Sequence, residues 1–292
     1  MMTARSCWSI FERNARNGSS PATGKSLTTP SASNPYVTQP KVYLLGRQAL
    51  VEGELARFLN DEGLIFSTDT RVAAEVLNEI AGRTCYMSFG KGRKSNREYL
   101  ENILSSKHGS VLEHAVWNVL ITGVSRSLTH ELVRHRAGFG YSQLSQRYVD
   151  ESDARYVVPP LYQQNEALYA KWKQTIDSVR QAYAELAEST AQFVQEQHPE
   201  MPARDRRKWA RQAARSVLPN ACETKIFVTG NARSWRHFVE LRGSVHADTE
   251  IRLLAVEVCR TLKKESANLF FDIEIVDQAD GMPAVTVLHS KV

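Results

Sequence analysis

Arg134, His135 and Arg136 are consecutive. Arg147-Tyr148 follows them after a run of small and polar residues: Gly138, Gly140, Tyr141, Ser142, Gln143, Ser145 and Gln146. No acidic residue occurs from Arg134 through Val149. Guanidinium groups bind phosphate through paired N–H···O bonds, and glycine lets a ligand approach the backbone. These residue types in this order predict an anion site. The plainer use of Arg134 and Arg136 is to offset the dipole at a helix C-terminus. That is worth about 0.3–1 kcal/mol and is served equally by lysine.

A second basic stretch covers 204–242. It holds Arg204, Arg206, Arg207, Lys208, Arg211, Arg215, Lys225, Arg233, Arg236 and Arg242 against Asp205, Glu223 and Glu240. Arg211 and Arg215 are four apart and share a helix face. Asn231-Ala232-Arg233 opens a helical pattern, where free N–H groups favour anions. Arg242 closes that pattern beside Gly243. Arg204 to Lys208 read as a solvated helix face. Arg215 precedes the apolar Val217-Leu218-Pro219, where solvation is less natural.

Two look-alike motifs fail. Gly24-Lys25-Ser26 has Ser19 where a P-loop needs glycine, and no strand and helix flank it. His130 and His135 are five apart, so on a helix they diverge by ~140° and cannot share a metal. No metal site is predicted.

Several elements must position these groups. Residues 42–45 form a short apolar run ended by Gly46, a strand. Residues 48–60, 70–82 and 95–107 carry apolar residues at helical spacing. Residues 115–124 alternate and are rich in β-formers, which predicts a strand. Ser125 caps a helix to about Arg136, with Gly138 as its stop. Residues 145–149 read as extended. Residues 164–197 predict a long helix with Leu168, Trp172, Ile176, Val179, Tyr183 and Leu186 on one stripe. Residues 203–216, 232–241 and 249–264 predict further helices, and 225–229 a strand. Residues 269–288 read as mostly extended, with a turn at Asp280-Gly281-Met282-Pro283. Helices and strands do not alternate strictly, so the fold class is α+β, a mixed sheet with packed helices, one of them long.

The chain has 292 residues, with 37 Lys+Arg against 32 Asp+Glu. That length supports a sizeable core. The apolar fraction, 42%, is ordinary for a globular protein. No apolar run approaches ~18 residues, so no transmembrane helix is predicted. Cys7, Cys85, Cys222 and Cys259 form no C-x-x-C pair. This excludes a thiolate zinc knuckle and predicts a reducing, cytoplasmic setting. Residues 1–40 contain seven Ser, five Thr and four Pro with one acid, Glu12. Such a stretch cannot offset its ordering entropy, and it is expected to be a disordered extension ahead of a catalytic domain over 41–292. Its Arg5, Arg13 and Arg16 also suit a transit peptide, although a plain extension is the simpler reading.

Taken together, these motifs resemble those of the flavin-dependent thymidylate synthases. Arg134-His135-Arg136 with Ser145 and Arg147-Tyr148 is similar to the family's RHR-x7-S signature. His108-Gly109-Ser110-Val111-Leu112-Glu113-His114 resembles its upstream element, and Arg215-Ser216-Val217-Leu218-Pro219 its AR-x-x-L-P element. Asn231-Ala232-Arg233-Ser234 through Leu241-Arg242, then His246-Ala247 and Glu250-Ile251, resembles its C-terminal block. Here eight residues rather than seven separate Arg136 from Ser145, and Gly138 and Gly140 could absorb the extra one. The family's Asn-Glu pair stands here as Ser142-Gln143, and a neutral Gln supplies no carboxylate.

The resemblance implies a homotetramer with active sites shared among subunits. It implies FAD as cofactor and reductive methylation of dUMP to dTMP, with methylene-tetrahydrofolate as carbon donor and NADPH as reductant. By motif, Ser110, Arg134, His135, Arg136, Asn231, Arg233 and His237 would contact FAD. Glu131, Arg134, Gln143, Leu144, Ser145, Gln146, Arg147, Arg215 and Arg242 would lie on the nucleotide. Arg242, always charged, would favour ionisation at uracil N3, and no protein nucleophile is required. These ligands are anionic, which suits two arginine clusters. Ser145 has no evident His–Asp partner and is expected to hydrogen-bond only. Cys85 and Cys222 are expected to be structural.

Two alternatives remain at this stage. The longer loop and Ser142-Gln143 would suit a paralogue that methylates or hydroxymethylates another pyrimidine nucleotide, UMP first. A non-catalytic nucleic-acid binder would use 204–242, but only Trp209 and Trp235 interleave the basic residues there. Neither nucleic acid nor membrane is the expected partner.

Overall fold

The computed structural model describes residues 34–92 and 95–292. Its frame is a four-stranded antiparallel sheet in the order β2-β3-β6-β4. These strands are β2 (Lys41–Arg47), β3 (Val116–Ser125), β4 (Phe139–Gln143) and β6 (Glu223–Asn231). The central pair is the most apolar: Val119, Ile121, Val124, Ile226 and Val228 are fully buried. β2 lies at an edge and alternates between half-buried and exposed residues.

Helices α1 (Glu52–Asp61), α2 (Ala73–Tyr86), α3 (Asn96–Ser105) and a 3-10 turn at Gly109–His114 precede β3. α4 (Arg126–Leu132) joins β3 to β4. Helix α5 (Pro160–Gln163), the long α6 (Glu166–Gln197) and α7 (Ala203–Ala214) intervene before β6. α8 (Ala232–Arg242) and α9 (Thr249–Glu265) follow it, and β7 (Ile273–Asp277) pairs with β8 (Pro283–Val287) at the end. The main core joins the sheet to α3, α8 and α9 through Leu100, Leu104, Trp117, Trp235, Phe238 and Leu254, among others. α6 buries only Ile176, Tyr183 and Val194 along 32 residues, and it packs against α7 as a helical hairpin.

A satellite core is separate. Ala154, Tyr156, Ile176 and Cys222 form it, with Tyr36, Trp172 and Ala221 packed on its margin. β1 (Tyr36–Val37) pairs in parallel with β5 (Tyr156–Val157) and closes one side. Residues 34–40 therefore belong to the fold, which corrects the expectation of disorder up to residue 40. A two-residue strand carries too little periodicity to stand out among Pro35, Thr38 and Pro40. The rest of that expectation, together with the transit-peptide reading and Gly24-Lys25-Ser26, falls on residues 1–33, outside the described residues.

Other differences lie near the arginine motif. The helix capped by Ser125 stops at Leu132, short of Arg136. The segment 145–149 is a turn rather than extended: Tyr148 and Val149 donate to the Ser145 carbonyl at 3.2 and 3.1 Å. The extended piece is β4, where Phe139, Tyr141 and Gln143 alternate inward with Gly140 and Ser142 outward. That period-2 signal sat inside a glycine-rich run that reads as loop.

Tyr36 holds the β1 strap on α6. Its hydroxyl donates to Asp177, and its ring meets Tyr169 and Trp172 edge-on at 6.3 and 5.7 Å. Tyr36→Ala is expected to lower stability by about 2 kcal/mol and Tyr36→Phe by about 1 kcal/mol, read from denaturant midpoints. Equal midpoints for all three proteins would mean that the strap contributes nothing.

Candidate functional site

The turn after α4 carries Arg134, His135 and Arg136, and hydrogen bonds fasten it on two sides. Asn231 caps α8, its side-chain oxygen accepting from Ser234 N–H at 2.9 Å. The Ser234 hydroxyl then donates to the Ala137 carbonyl at 2.7 Å, and Asn231 N–H to the Gly138 carbonyl at 3.3 Å. Gly138 has φ +70°, and a Cβ there would fall 2.1 Å from Ser234 Oγ. Only glycine fits both the angle and the approach. On the other side, Tyr141 OH donates to the carbonyls of His135 and Leu132 at 2.7 and 3.0 Å. Burial raises the Tyr141 phenol well above its ordinary range, so it stays a donor.

This seating brings Arg134, His135 and Arg136 to α8. They line a cavity of about 290 Å³ with His237 and Arg242. Arg242 Nη1 donates to Glu131 Oε2 at 2.7 Å, and its Nε donates to His135 Nε2 at 3.0 Å. A guanidinium can only donate, so His135 Nε2 holds a lone pair and the ring proton sits on Nδ1. Burial, then the charge of Arg242 and the neighbouring His237, push His135 down to about 4. The His135 ring is also boxed by Phe238 at 5.4 Å and His237 at 5.9 Å. Glu131 offsets Arg242. Arg134 and Arg136 have no side-chain partner among the described residues and leave the cavity positive.

Arg233 lies one helical turn before His237 but outside the cavity wall. Its guanidinium pairs with Glu113 at 2.7 Å and reaches the Val292 carbonyl at 3.3 Å. Glu113 shares its 3-10 turn with the exposed Ser110. At Gly109 in the same turn, a Cβ would come 2.7 Å from Arg233 Nε.

The remaining predicted residues form a second group at the far end of β4, about 14 Å along the strand. Leu144 N–H donates to the Lys225 carbonyl at 2.9 Å. Ser145 Oγ accepts from Arg147 N–H at 3.4 Å, and no histidine or carboxylate bonds it among the described residues. Arg147 reaches Gln212 at 3.1 Å. Gln143 donates inward to Thr129 and Thr224 at 3.0 and 3.3 Å, while Gln146 is buried with Nε2 on Cys222 Sγ at 3.7 Å. In both glutamines the amide nitrogen is taken within the fold. Arg215 opens the 3-10 turn Arg215–Val217, exposed and without a partner among the described residues.

The 204–242 stretch is not one basic surface. Arg236 is buried in a bidentate pair with Asp272 at 2.7 and 2.8 Å. Arg211 is held by Asp150 at 2.8 Å. Sequence reasoning missed Tyr141 and Ser234 as supports of the site. The three-residue spacing of Asn231 and Ser234 is a capping signal that could have exposed the second. Among the described residues no His, Cys, Asp and Glu grouping could hold a metal, and no helix is long and apolar enough to cross a membrane.

Comparison with known proteins adds independent findings. Residues 68–266 match the family described as thymidylate synthase complementing protein. A flavin-dependent thymidylate synthase of Mycobacterium sp. (strain KMS) is 49% identical over 225 residues, 76% of this chain and 88% of the relative. Another, of Mycobacterium tuberculosis (strain ATCC 25177 / H37Ra), is 47% identical over 233 residues, 78% of this chain and 91% of the relative. The matched region contains both groups of predicted residues, while β1, β2 and α1 precede the family match.

His135 links the site to pH. The unfolded imidazole titrates near ~6.5, and the folded one near 4. Between these values the unfolded chain binds more protons, so stability falls as pH drops through that window. Melting temperatures should decline there in the unaltered protein and less steeply in His135→Gln. Parallel curves would show that His135 is not held neutral.

Proposed function

This chain belongs to the thymidylate synthase complementing protein family, and from that premise we propose that it is a flavin-dependent thymidylate synthase converting dUMP to dTMP. In this reading FAD is the resident cofactor, methylene-tetrahydrofolate the carbon donor and NADPH the reductant. The observation that carries it is Arg242, fixed by Glu131 and His135 in a cavity that also holds two unpaired guanidiniums.

The residues fit a dinucleotide. Arg134 and Arg136 supply charge for a pyrophosphate. Arg134, His135, Arg136, Asn231 and His237, with Ser110 and Arg233 on the adjoining turn, would hold it. Bound FAD supplies the redox chemistry. Ligand pockets are usually about 300–1,000 Å³, and one chain's cavity of about 290 Å³ is at the small end. A dinucleotide exceeds it, so a second subunit would complete the wall. That fits a homo-oligomer, a tetramer in this reading, with sites shared between chains. Such sharing would also join the loop carrying Leu144, Ser145, Gln146 and Arg147, and the exposed Arg215, to the Arg242 group of another subunit.

Arg242 has Nη2 open among the described residues. A fixed positive charge beside uracil N3 favours loss of that proton, and the resulting ring charge makes C5 nucleophilic. Glu131 and the neutral His135 orient the guanidinium without removing its charge. Ser145 lacks a base and positions substrate. The free thiols of Cys85, Cys222 and Cys259 suit a reducing cytoplasm.

Arg242→Ala is expected to retain flavin and lose roughly 100-fold or more in turnover, measured as dTMP formed by the holoenzyme. Near-normal turnover would remove Arg242 from the mechanism. Arg134→Ala should weaken both FAD and dUMP binding, measured by flavin content and by titration of dUMP. Turnover of UMP above that of dUMP would shift the assignment to a related pyrimidine methylation.

A further inference from the structure

The loop at 144–148 rests on an unusual floor. Glu151 follows it and is 5% exposed. Its Oε1 has no hydrogen-bond partner among the described residues, and its Oε2 accepts only the Cys222 S–H, at 3.9 Å. Cys222 Sγ accepts from Gln146 Nε2, and its single S–H is shared between Glu151 Oε2 and the Glu223 carbonyl at 3.8 Å, so Gln146, Cys222 and Glu151 form a buried relay. Tyr183 of α6 covers it, its hydroxyl accepting Glu151 N–H at 3.3 Å. All four side chains are more than nine-tenths buried. The relay joins the loop to the satellite core of β5, α6 and the start of β6.

A carboxylate with so few donors is costly to bury in its charged form. Arg126 from α4 and Lys225 from β6 favour the charged form. The Cys222 S–H favours it as well, Asp150 opposes it, and Tyr156 and Tyr183 are neutral neighbours. Burial dominates and raises Glu151 above the ordinary carboxylate range. Main-core packing does not use this group. Nothing in the proposed chemistry uses it either, yet it sits directly beneath the residues assigned to the nucleotide.

We propose that Glu151 is a positioning residue for the substrate nucleotide, acting through Cys222 and Gln146 to fix the loop that presents Ser145 and Arg147. The inference rests on the reading of that loop as the nucleotide site. Without Glu151 the Cys222 S–H turns wholly to the Glu223 carbonyl, the sulfur lone pair that Gln146 uses is re-aimed, and the loop takes several positions, most of them unsuited to the nucleotide. The effect falls on binding of dUMP rather than on the flavin cavity at the other end of β4.

Steady-state kinetics of the flavin-loaded enzyme test this. Glu151→Ala is expected to raise the dUMP KM roughly 10-fold, with kcat at saturating dUMP and flavin content near normal. Glu151→Gln keeps the shape and a neutral polar head, and it should restore KM to within about 2-fold. Cys222→Val keeps the satellite core filled and breaks the same relay, so it provides the test should Glu151→Ala fail to fold. It should raise KM as Glu151→Ala does, and the double variant should add little, since both act on one chain of contacts. Additive effects, a parallel fall in flavin content and kcat, or an unchanged KM would each overturn the proposal. Arg147→Ala separates the two levels. If it alone raises KM, the loop binds the nucleotide but Glu151 does not position it. If it also leaves KM unchanged, the loop assignment and the inference fall together.

Discussion

The guanidinium of Arg242 is the group around which the site is organised. It bridges three segments: its own helix α8, the end of α4 through Glu131, and the arginine turn through His135. The bridge works because the two acceptors differ in charge. Glu131 offsets one positive charge, while His135 offers a lone pair and no charge. The site therefore stays cationic through Arg134 and Arg136 while Arg242 is held by two bonds. A protonated His135 would place two cations 3.0 Å apart in a half-buried setting. Burial and Arg242 itself prevent that, so orientation and protonation state are one constraint.

Much of this was legible in the sequence because the signals are local. Ser125 and Asn231 mark helix N-caps by residue type and spacing, and each caps in the fold, whereas Gly138, read as the stop of the first helix, lies in the turn beyond its end at Leu132. The α+β class also followed from the order of elements. What was not legible depends on tertiary partners. Gln143 and Gln146 are placed on the nucleotide by the family resemblance, and the hydrogen bonds their amide nitrogens make within the fold were not legible. Their acceptors, Thr129, Thr224 and Cys222, come from distant segments that no period reveals. Arg236 looked like one more cation in a basic stretch, yet Asp272 takes it into the core. Charge density along the chain could not separate the arginines that face a ligand from those that brace the fold.

The two groups of predicted residues sit at opposite ends of β4, a strand too short to bend them together. A rigid ladder with β6 fixes that spacing, with Phe139 opposite Gly230 and Gln143 opposite Ile226. A ligand touching both groups of one chain must span the strand. The strand thus acts as a spacer between the two groups, and α4 runs beside it, with Thr129 against Gln143 and Arg126 against the Leu144 carbonyl.

The β1 strap has a consequence for synthesis of the chain. Tyr36 and the Asp177 that receives its hydroxyl are 141 residues apart. At roughly 5–20 residues per second, the ribosome takes roughly 7–28 s to deliver the second after the first. The earliest described residues must therefore wait for α6, a middle part of the floor they complete. A nascent chain can assemble β2 on β3 well before α6 has emerged, while the support under residues 144–148 waits for α6 and then for Cys222. Translational pausing within α6 would prolong the interval in which that aromatic seam is bare and open to a chaperone.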